Sequence, residues 1–117
     1  MKSNELMVDD WVYNKYIDKP MQIYPTIFSQ MFRSNPNATT EDYNIFPIPL
    51  TPEILEKNGF SDKYAEDDLS YATDYSGDVI AVHICGNGGI MDEMYFNYVH
   101  ELQHAMRLCG IEKEIIL

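Results

Sequence analysis

The first half of the chain alternates between hydrophobic and polar positions in a way that is typical of extended structure. Residues 8–13 alternate loosely and predict a strand. Residues 20–28 predict its partner in an N-terminal hairpin, at the edge of a sheet because Pro25 has no N–H to donate to a central ladder. Residues 34–40 have loop composition. Residues 43–50 predict a further extended segment, since two prolines hold it out of the helical region.

A short helix over residues 51–58 has the strongest local signals. Thr51 suits the N-cap, Pro52 suits the first helical position, and Glu53 complements the helix dipole. The Asn58-Gly59 pair predicts the end of the helix, with Gly59 in the left-handed conformation.

The second half predicts an antiparallel meander followed by a longer helix. Residues 69–75 and 78–85 read as strands joined across Ser76-Gly77, and residues 90–96 as a third strand. In the second strand, period-two alternation places Ile80, Val82 and Ile84 on one face. The longer helix is expected over residues 97–109, and a short final strand over residues 113–117.

These elements predict a single α+β domain over residues 1–117. Its small antiparallel sheet consists of the N-terminal hairpin and the C-terminal meander, with the short and the longer helix covering one face. A chain of 117 residues is long enough to bury one modest core.

Composition narrows the classes of partner. The chain carries 8 Lys and Arg against 19 Asp and Glu, a net charge of −11. This balance argues against binding to nucleic acid or an anionic membrane, because phosphate contacts need basic side chains. The negative charge is compatible with binding to basic proteins or to cations, and with imitation of a nucleic acid's charge. The simpler alternative is that it keeps the protein soluble. The oligomeric state is left open.

The N-terminal sequence and the cysteines predict a cytoplasmic protein. Residues 1–5 lead into mixed polar sequence with no apolar signal-peptide core, and no stretch approaches the roughly 20 apolar residues of a membrane span. Cys85 and Cys109 are expected to be free thiols of a reducing compartment.

The string His100-Glu101-Leu102-Gln103-His104 matches the signature of zinc proteases. Two histidines one helical turn apart can bind one zinc ion, and the intervening Glu101 would act as general base on the bound water. The chain therefore has a zinc-dependent hydrolase as one hypothesis, with His100 and His104 as metal ligands.

Two features of the sequence argue against that hypothesis. A third ligand does not follow at the usual spacing, since only 13 residues come after His104. At 100° per residue, one stripe of the predicted helix is apolar and the histidines fall on the other side. The apolar stripe consists of Val99, Leu102, Ala105, Met106 and Cys109. The predicted solvent face consists of His100, Gln103, His104 and Arg107. No catalytic residue, metal or cofactor is therefore expected.

Weaker candidates have simpler structural interpretations. A looser zinc site could use His83 and Cys85 beside the helix histidines, but Cys109 falls on the apolar stripe. Residues 86–89 lack the Lys-Ser/Thr of a phosphate loop and predict a hairpin turn. Residues 66–68 lack calcium-loop spacing and predict a solvated loop. A sticky aromatic patch is possible in the N-terminal third, from Trp11, Tyr13, Tyr16 and Tyr24.

Three blocks of sequence carry a resemblance to a known family. They are Asn4-Glu5-Leu6 with Asp10-Trp11-Val12, then residues 47–60 (PIPLTPEILEKNGF), and then Tyr98-Val99-His100-Glu101-Leu102-Gln103 with a following Gly110. The chain resembles small uncharacterised proteins of prophages and mobile elements in gut Bacteroidetes-type bacteria.

The resemblance implies a context rather than a mechanism. In that family the position of His104 is commonly Asn and that of Glu101 often Gln, which favours an accidental zinc motif. Residues 8–10 depart from the family, which usually has a Gly-Asn turn there. The function predicted from the sequence is a non-enzymatic protein-interaction module of phage or mobile-element type, with an unidentified protein partner. The alternatives are the zinc hydrolase and an acidic decoy for a DNA-binding protein.

Overall fold

The computed structural model describes residues 6–26, 39–86, 89–111 and 113–117. In these residues the strands are β1 (Trp11–Asn14), β2 (Lys19–Gln22), β3 (Ile45–Pro47), β4 (Leu69–Thr73), β5 (Val79–Gly86) and β6 (Gly89–Met94), and the α-helices are α1 (Pro52–Lys57) and α2 (Val99–Leu108). The chain divides into two compact units, residues 1–48 and 49–117. The predicted α+β class with antiparallel strands is confirmed, but the hairpin and the meander belong to two separate three-stranded sheets.

The sheet of the first unit has the order β2-β1-β3. Val12 in the central strand pairs with Met21 on one side and Pro47 on the other, and it is fully buried. Prolines are confined to the two edge strands, where a missing N–H interrupts no central ladder. The core of this unit is a cluster of Leu6, Val12, Ile23 and Ile45, with Met21 and Tyr43 packed against it.

Strand β1 starts three residues later than predicted, because residues 7–10 form a turn. Asp9 has a left-handed backbone with φ of 75°. The Asp10 carboxylate accepts a hydrogen bond from the Met7 backbone N–H at 2.7 Å. Aspartates favour such turns because their side chains bond nearby backbone groups. The predicted partner strand is likewise shorter, and residues 27–28 lie outside the described part of the chain.

Helix α1 of the second unit confirms the local signals. The Thr51 hydroxyl accepts a hydrogen bond from the Ile54 N–H at 3.3 Å, and Pro52 is the first helical residue. After the helix, Gly59 is left-handed with φ of 86°. The helix lies beside β4, where the Tyr71 hydroxyl donates to the Glu56 carboxylate at 2.6 Å.

The sheet of the second unit has the order β4-β5-β6 and contains a bulge that the period-two pattern misses. The pairing steps from Ala72↔Ala81 to Thr73↔Val79, so Ile80 is an extra residue in β5. Val79 is therefore buried and Ile80 is 48% exposed, whereas Val82 and Ile84 are fully buried. The expectation that Ile80 shares their face is wrong, because a bulge resets the alternation.

Residues 113–117 form no strand within the described chain, contrary to expectation. Their partner is instead the Asn58 side chain, which donates to the Ile116 carbonyl and accepts from the Ile116 N–H, both at 2.7 Å. Its amide also donates to the Ile54 carbonyl at 2.8 Å. Ile115 is buried, and the Lys57 ammonium donates to the Leu117 carbonyl at 2.7 Å, so side-chain hydrogen bonds rather than a strand ladder hold the segment. No helix among the described residues has the length and apolar character of a membrane span.

Candidate functional site

Glu101 has a structural position at the start of α2. Its Oε1 accepts hydrogen bonds from the backbone N–H groups of Asn97 and Tyr98, both at 3.0 Å. This is the Glu half of a capping box, in which the third helical residue reaches back to the N-cap. Among the described residues the Tyr98 side chain makes no reciprocal capping bond. The carboxylate that the zinc hypothesis assigns as general base thus accepts hydrogen bonds from backbone N–H groups at the start of the helix, which have no partner within it.

The two histidines of the string are neighbours on α2. Their ring centroids are 5.7 Å apart, with the rings inclined at 69°. Two imidazoles that share one zinc at about 2.0–2.1 Å place their centres roughly 5 Å apart, so the pair has nearly the spacing that a metal needs. His100 also stacks on Tyr98, with centroids 5.8 Å apart and rings nearly parallel.

The predicted solvent face of this helix is only partly correct. All five residues of the apolar stripe are buried, and Arg107 is exposed. His100 and Gln103 are buried, however, and His104 is half-buried. Gln103 lies only about 40° from Val99 on the helix, at the border of the stripe. His100 is covered by the Tyr98 ring. Because Tyr98 precedes the helix, a projection of the helical residues does not include this contact.

The histidine pair does not extend to a complete metal site within the part of the chain that the structure describes. There, no group of three or more His, Cys, Asp or Glu side chains lies close enough to hold a metal ion. A catalytic zinc takes three protein ligands and one water. Glu112, a carboxylate that follows the helix, lies outside the described residues. Among the described side chains, the histidines are a pair of ligands without a third.

His83, Cys85 and Cys109 have surroundings of their own. His83 is buried and meets the Tyr64 ring edge-on at a centroid distance of 6.1 Å. Both thiols are free, Cys109 buried and Cys85 half-buried. Burial, and secondarily the nearby Cys85, raise the pKa of the Cys109 thiol. A raised thiol pKa disfavours the thiolate that both metal binding and nucleophilic chemistry require.

Two other motifs have the structural roles expected of them. Gly86 and Gly89 pair across the ends of β5 and β6, which makes this segment a hairpin, with Asn87 and Gly88 outside the described residues. Residues 66–68 form an exposed stretch leading into β4. Neither segment adds a chemical group to the helix histidines.

The turn between β4 and β5 presents a tyrosine on a tightly fixed backbone. The Asp74 N–H donates to the Asp78 carbonyl at 3.0 Å, and the Gly77 N–H donates to the Asp74 carbonyl at 3.1 Å. The Asp74 Oδ1 also accepts from the N–H groups of Ser76 at 2.9 Å and Asp78 at 3.0 Å. With Gly77 at φ of 87°, this is a three-residue hairpin loop closed by a left-handed glycine. Tyr75, the first loop residue, is fully exposed.

The surroundings of Tyr75 are acidic. Asp74 and Asp78 flank the loop, and Ile80, two residues after Asp78, is an exposed apolar residue. Residues 64–106 contain eight Asp and Glu and no Lys or Arg. Residues 49–117 carry 13 Asp and Glu against 4 Lys and Arg, so −9 of the chain's net charge of −11 falls on this unit.

Further carboxylates, on α1 and shortly after it, lie near β4. Burial, the hydrogen bond to Glu56 and the nearby charges of Glu56, Asp62 and Glu53 raise the pKa of Tyr71 to about 12. Tyr71 lies on β4 three positions before Asp74. Carboxylates of α1 and of the segment after it therefore lie near β4, in addition to the two aspartates of the turn.

The β1–β2 turn of the first unit is built in a similar way but has a different charge. The Asn14 Oδ1 accepts from the N–H groups of Tyr16 at 2.9 Å and Ile17 at 3.4 Å. Tyr16 is 84% exposed and Ile17 is 51% exposed. Lys15 and Lys19 flank this pair in sequence. Of the four aromatic residues considered for a surface patch, Tyr16 is exposed and Tyr24 is half-exposed, while Trp11 and Tyr13 are less exposed.

The exposed position of Tyr75 was not predicted from the hydrophobic pattern. The pattern Asp74-Tyr75-Ser76-Gly77-Asp78 contains the signal, because an Asp that can bond its own turn and a glycine three residues later predict a tight hairpin loop. An aromatic residue at the first loop position has no core to enter.

The fold and this surface define an acidic α+β protein. A scan against protein-family models found no match, and neither did searches of curated proteins and of solved structures. Function is therefore inferred from the geometry of this chain.

Proposed function

We propose that this protein is a non-enzymatic protein-interaction module, in which the β4–β5 turn is a contact surface. The observation that supports the proposal is the full exposure of Tyr75 on a loop fixed by four hydrogen bonds. Tyrosine is enriched at interfaces because it supplies a large contact area with few rotatable bonds. A loop already ordered loses little further freedom on binding.

The geometry of the zinc motif also supports a non-enzymatic role. Glu101 caps the helix through Oε1, and His100 is buried against Tyr98. A general base needs reach to the proton that it removes, and a zinc site needs a cleft that substrate can enter. We further propose that the partner belongs to the bacterial host of a prophage or mobile element, as the sequence resemblance implies.

A capture experiment with matched tyrosine variants tests the proposal. Immobilised wild type, Tyr75→Ala and Tyr16→Ala are incubated with lysate of a gut Bacteroidetes-type bacterium, and retained proteins are quantified by mass spectrometry. We expect proteins that wild type and Tyr16→Ala retain and Tyr75→Ala loses. Retention of nothing above bare resin, or equal retention by all three, would count against the β4–β5 turn as the contact surface.

The zinc-dependent hydrolase is a second candidate, favoured by the 5.7 Å separation of the His100 and His104 rings. Its test is the zinc content of untagged protein after dialysis against a weak chelator. About one zinc per chain, lost in His104→Asn, supports a metal site. Activity that Glu101→Gln abolishes while zinc is retained would then assign the base.

A further inference from the structure

The β4–β5 turn combines an apolar contact with fixed negative charge. Tyr75 is fully exposed and Ile80 is half-exposed beyond the end of the loop. Asp74 and Asp78 bracket the tyrosine, and the strands on either side contain no Lys or Arg. An approaching molecule therefore meets an exposed aromatic ring on a loop that an aspartate flanks at each end.

The net charge of residues 49–117 favours some classes of binding partner over others. Residues 49–117 carry a net charge of −9, so a nucleic acid or a second copy of this chain would bring like charge to the surface. A segment with Lys or Arg brings the opposite charge. Its cationic groups can also lie over the face of a tyrosine ring, where the ring quadrupole attracts them.

We propose that the β4–β5 turn binds a basic peptide segment of the partner, whose Lys or Arg side chains meet Asp78 and Asp74 while a neighbouring apolar side chain packs on Tyr75 and Ile80. This inference rests on the proposed function and adds the chemical class of the partner. The carboxylates around Tyr71 strengthen the long-range attraction, because Glu53, Glu56 and Asp62 lie near the same strand. Such fields mainly raise the association rate and weaken with salt.

Random-peptide display against the immobilised protein tests the inference without knowledge of the natural partner. Phage displaying random peptides of about 12 residues are selected on wild type after depletion on Tyr75→Ala, and the enriched peptides are sequenced. We expect enrichment of Lys and Arg beside an aliphatic or aromatic residue. Binding of synthetic copies to each variant is then measured by fluorescence anisotropy at low and high salt.

The variants are chosen to separate charge from fold. Among the described residues, the hydrogen bonds by which Asp78 supports the loop come from its backbone N–H and carbonyl, so Asp78→Asn removes a charge and leaves these bonds in place. Glu114→Gln, an exposed carboxylate of the same unit, is the charge control, and Tyr16→Ala is the tyrosine control. We expect binding at least tenfold weaker in Tyr75→Ala and about threefold to fivefold weaker in Asp78→Asn, with the controls unchanged. Urea unfolding of each variant checks that the fold is intact.

The remaining outcomes distinguish this inference from the proposed function. Peptides that depend on Tyr75 but lack basic residues, or whose binding ignores Asp78 and salt, would overturn the basic-partner inference and leave the interaction surface standing. Basic peptides that bind wild type and Tyr75→Ala equally, or no enrichment at all, would overturn both.

Discussion

Glu101 binds two backbone N–H groups at the point where α2 begins, and this cap gives the residue a structural role. The first turn of a helix leaves its N–H groups without intrahelical partners, and the helix dipole favours a negative charge there. His100, two residues from the N-cap, and His104, one turn later, complete the match to the zinc signature. The carboxylate is therefore expected to matter for stability.

The cap makes a quantitative prediction for Glu101. Glu101→Ala is expected to lower the free energy of unfolding by about 1–2 kcal/mol, because two N–H groups lose their acceptor. Glu101→Gln keeps an acceptor oxygen but loses the charge, so its loss is expected to be about half as large. Urea denaturation followed by circular dichroism measures both. The exposed Glu66→Ala is the control, and a Glu101→Ala loss no larger than that of the control would refute the cap's contribution.

Tyr71 makes stability depend on pH in the alkaline range. Its pKa is about 12 in the folded chain against an ordinary value of 10, chiefly because of burial and the Glu56 carboxylate. Between these values the unfolded chain loses the proton while the folded chain keeps it. The contribution is therefore complete below pH 10 and is lost as pH rises towards 12, by about 2 kcal/mol.

Tyr71→Phe tests this dependence because phenylalanine does not titrate. The free energy of unfolding of wild type is expected to fall more steeply than that of Tyr71→Phe between about pH 9 and about pH 11.5. The two proteins are compared in urea at both pH values. Parallel decreases would show that Tyr71 is not the group responsible.

At the scale of whole elements, those with local signals were predictable and those set by distant partners were not. Helix α1 was predictable because the Thr51 hydroxyl, the Pro52 ring and the Gly59 backbone act within their own few residues. The Ile80 bulge depends on how β4 pairs with β5, and residues 113–117 depend on an Asn58 side chain more than fifty positions earlier. At the candidate site, the histidine spacing was visible in sequence, but burial of His100 by Tyr98 was not.

The bulge in β5 predicts a contrast between two chemically identical substitutions. Ile84→Val is expected to lower the free energy of unfolding by about 0.5–1.5 kcal/mol, because it removes a methylene from a fully buried side chain. Ile80→Val removes the same group from a half-exposed one and is expected to change it by less than about 0.5 kcal/mol. Urea denaturation measures the free energy of unfolding of both variants and of wild type. Equal losses would place Ile80 in the core, as period-two alternation predicts.

At the scale of the whole molecule, the prediction of a single domain over residues 1–117 can be tested with two signals from different units. The chain's single tryptophan, Trp11, lies in residues 1–48, and the helices α1 and α2 lie in residues 49–117. Tryptophan fluorescence therefore reports on the first unit, and circular dichroism at the helix band includes the signal of α1 and α2 from the second unit.

A single cooperative domain requires the two signals to change together. We expect tryptophan fluorescence and circular dichroism to give coincident urea midpoints, as in the all-or-none unfolding of small domains. The Ile84→Val substitution, in the second unit, is then expected to move both midpoints equally. Separate midpoints, or a shift confined to circular dichroism, would divide the chain into two independent domains.

The Asn58-Gly59 pair links the fold to chemical ageing. In an unfolded chain the Gly59 nitrogen can attack the Asn58 side-chain amide, closing a succinimide and releasing ammonia. The folded chain opposes this, because that nitrogen donates to the Glu56 carbonyl at 3.1 Å while the amide is held by Ile54 and Ile116. Water then opens the succinimide to a carboxylate, which has no N–H for those two carbonyls, so a converted chain cannot remake the contact. Each unfolding event thus risks an irreversible step, and the lifetime of the protein follows how often this segment opens.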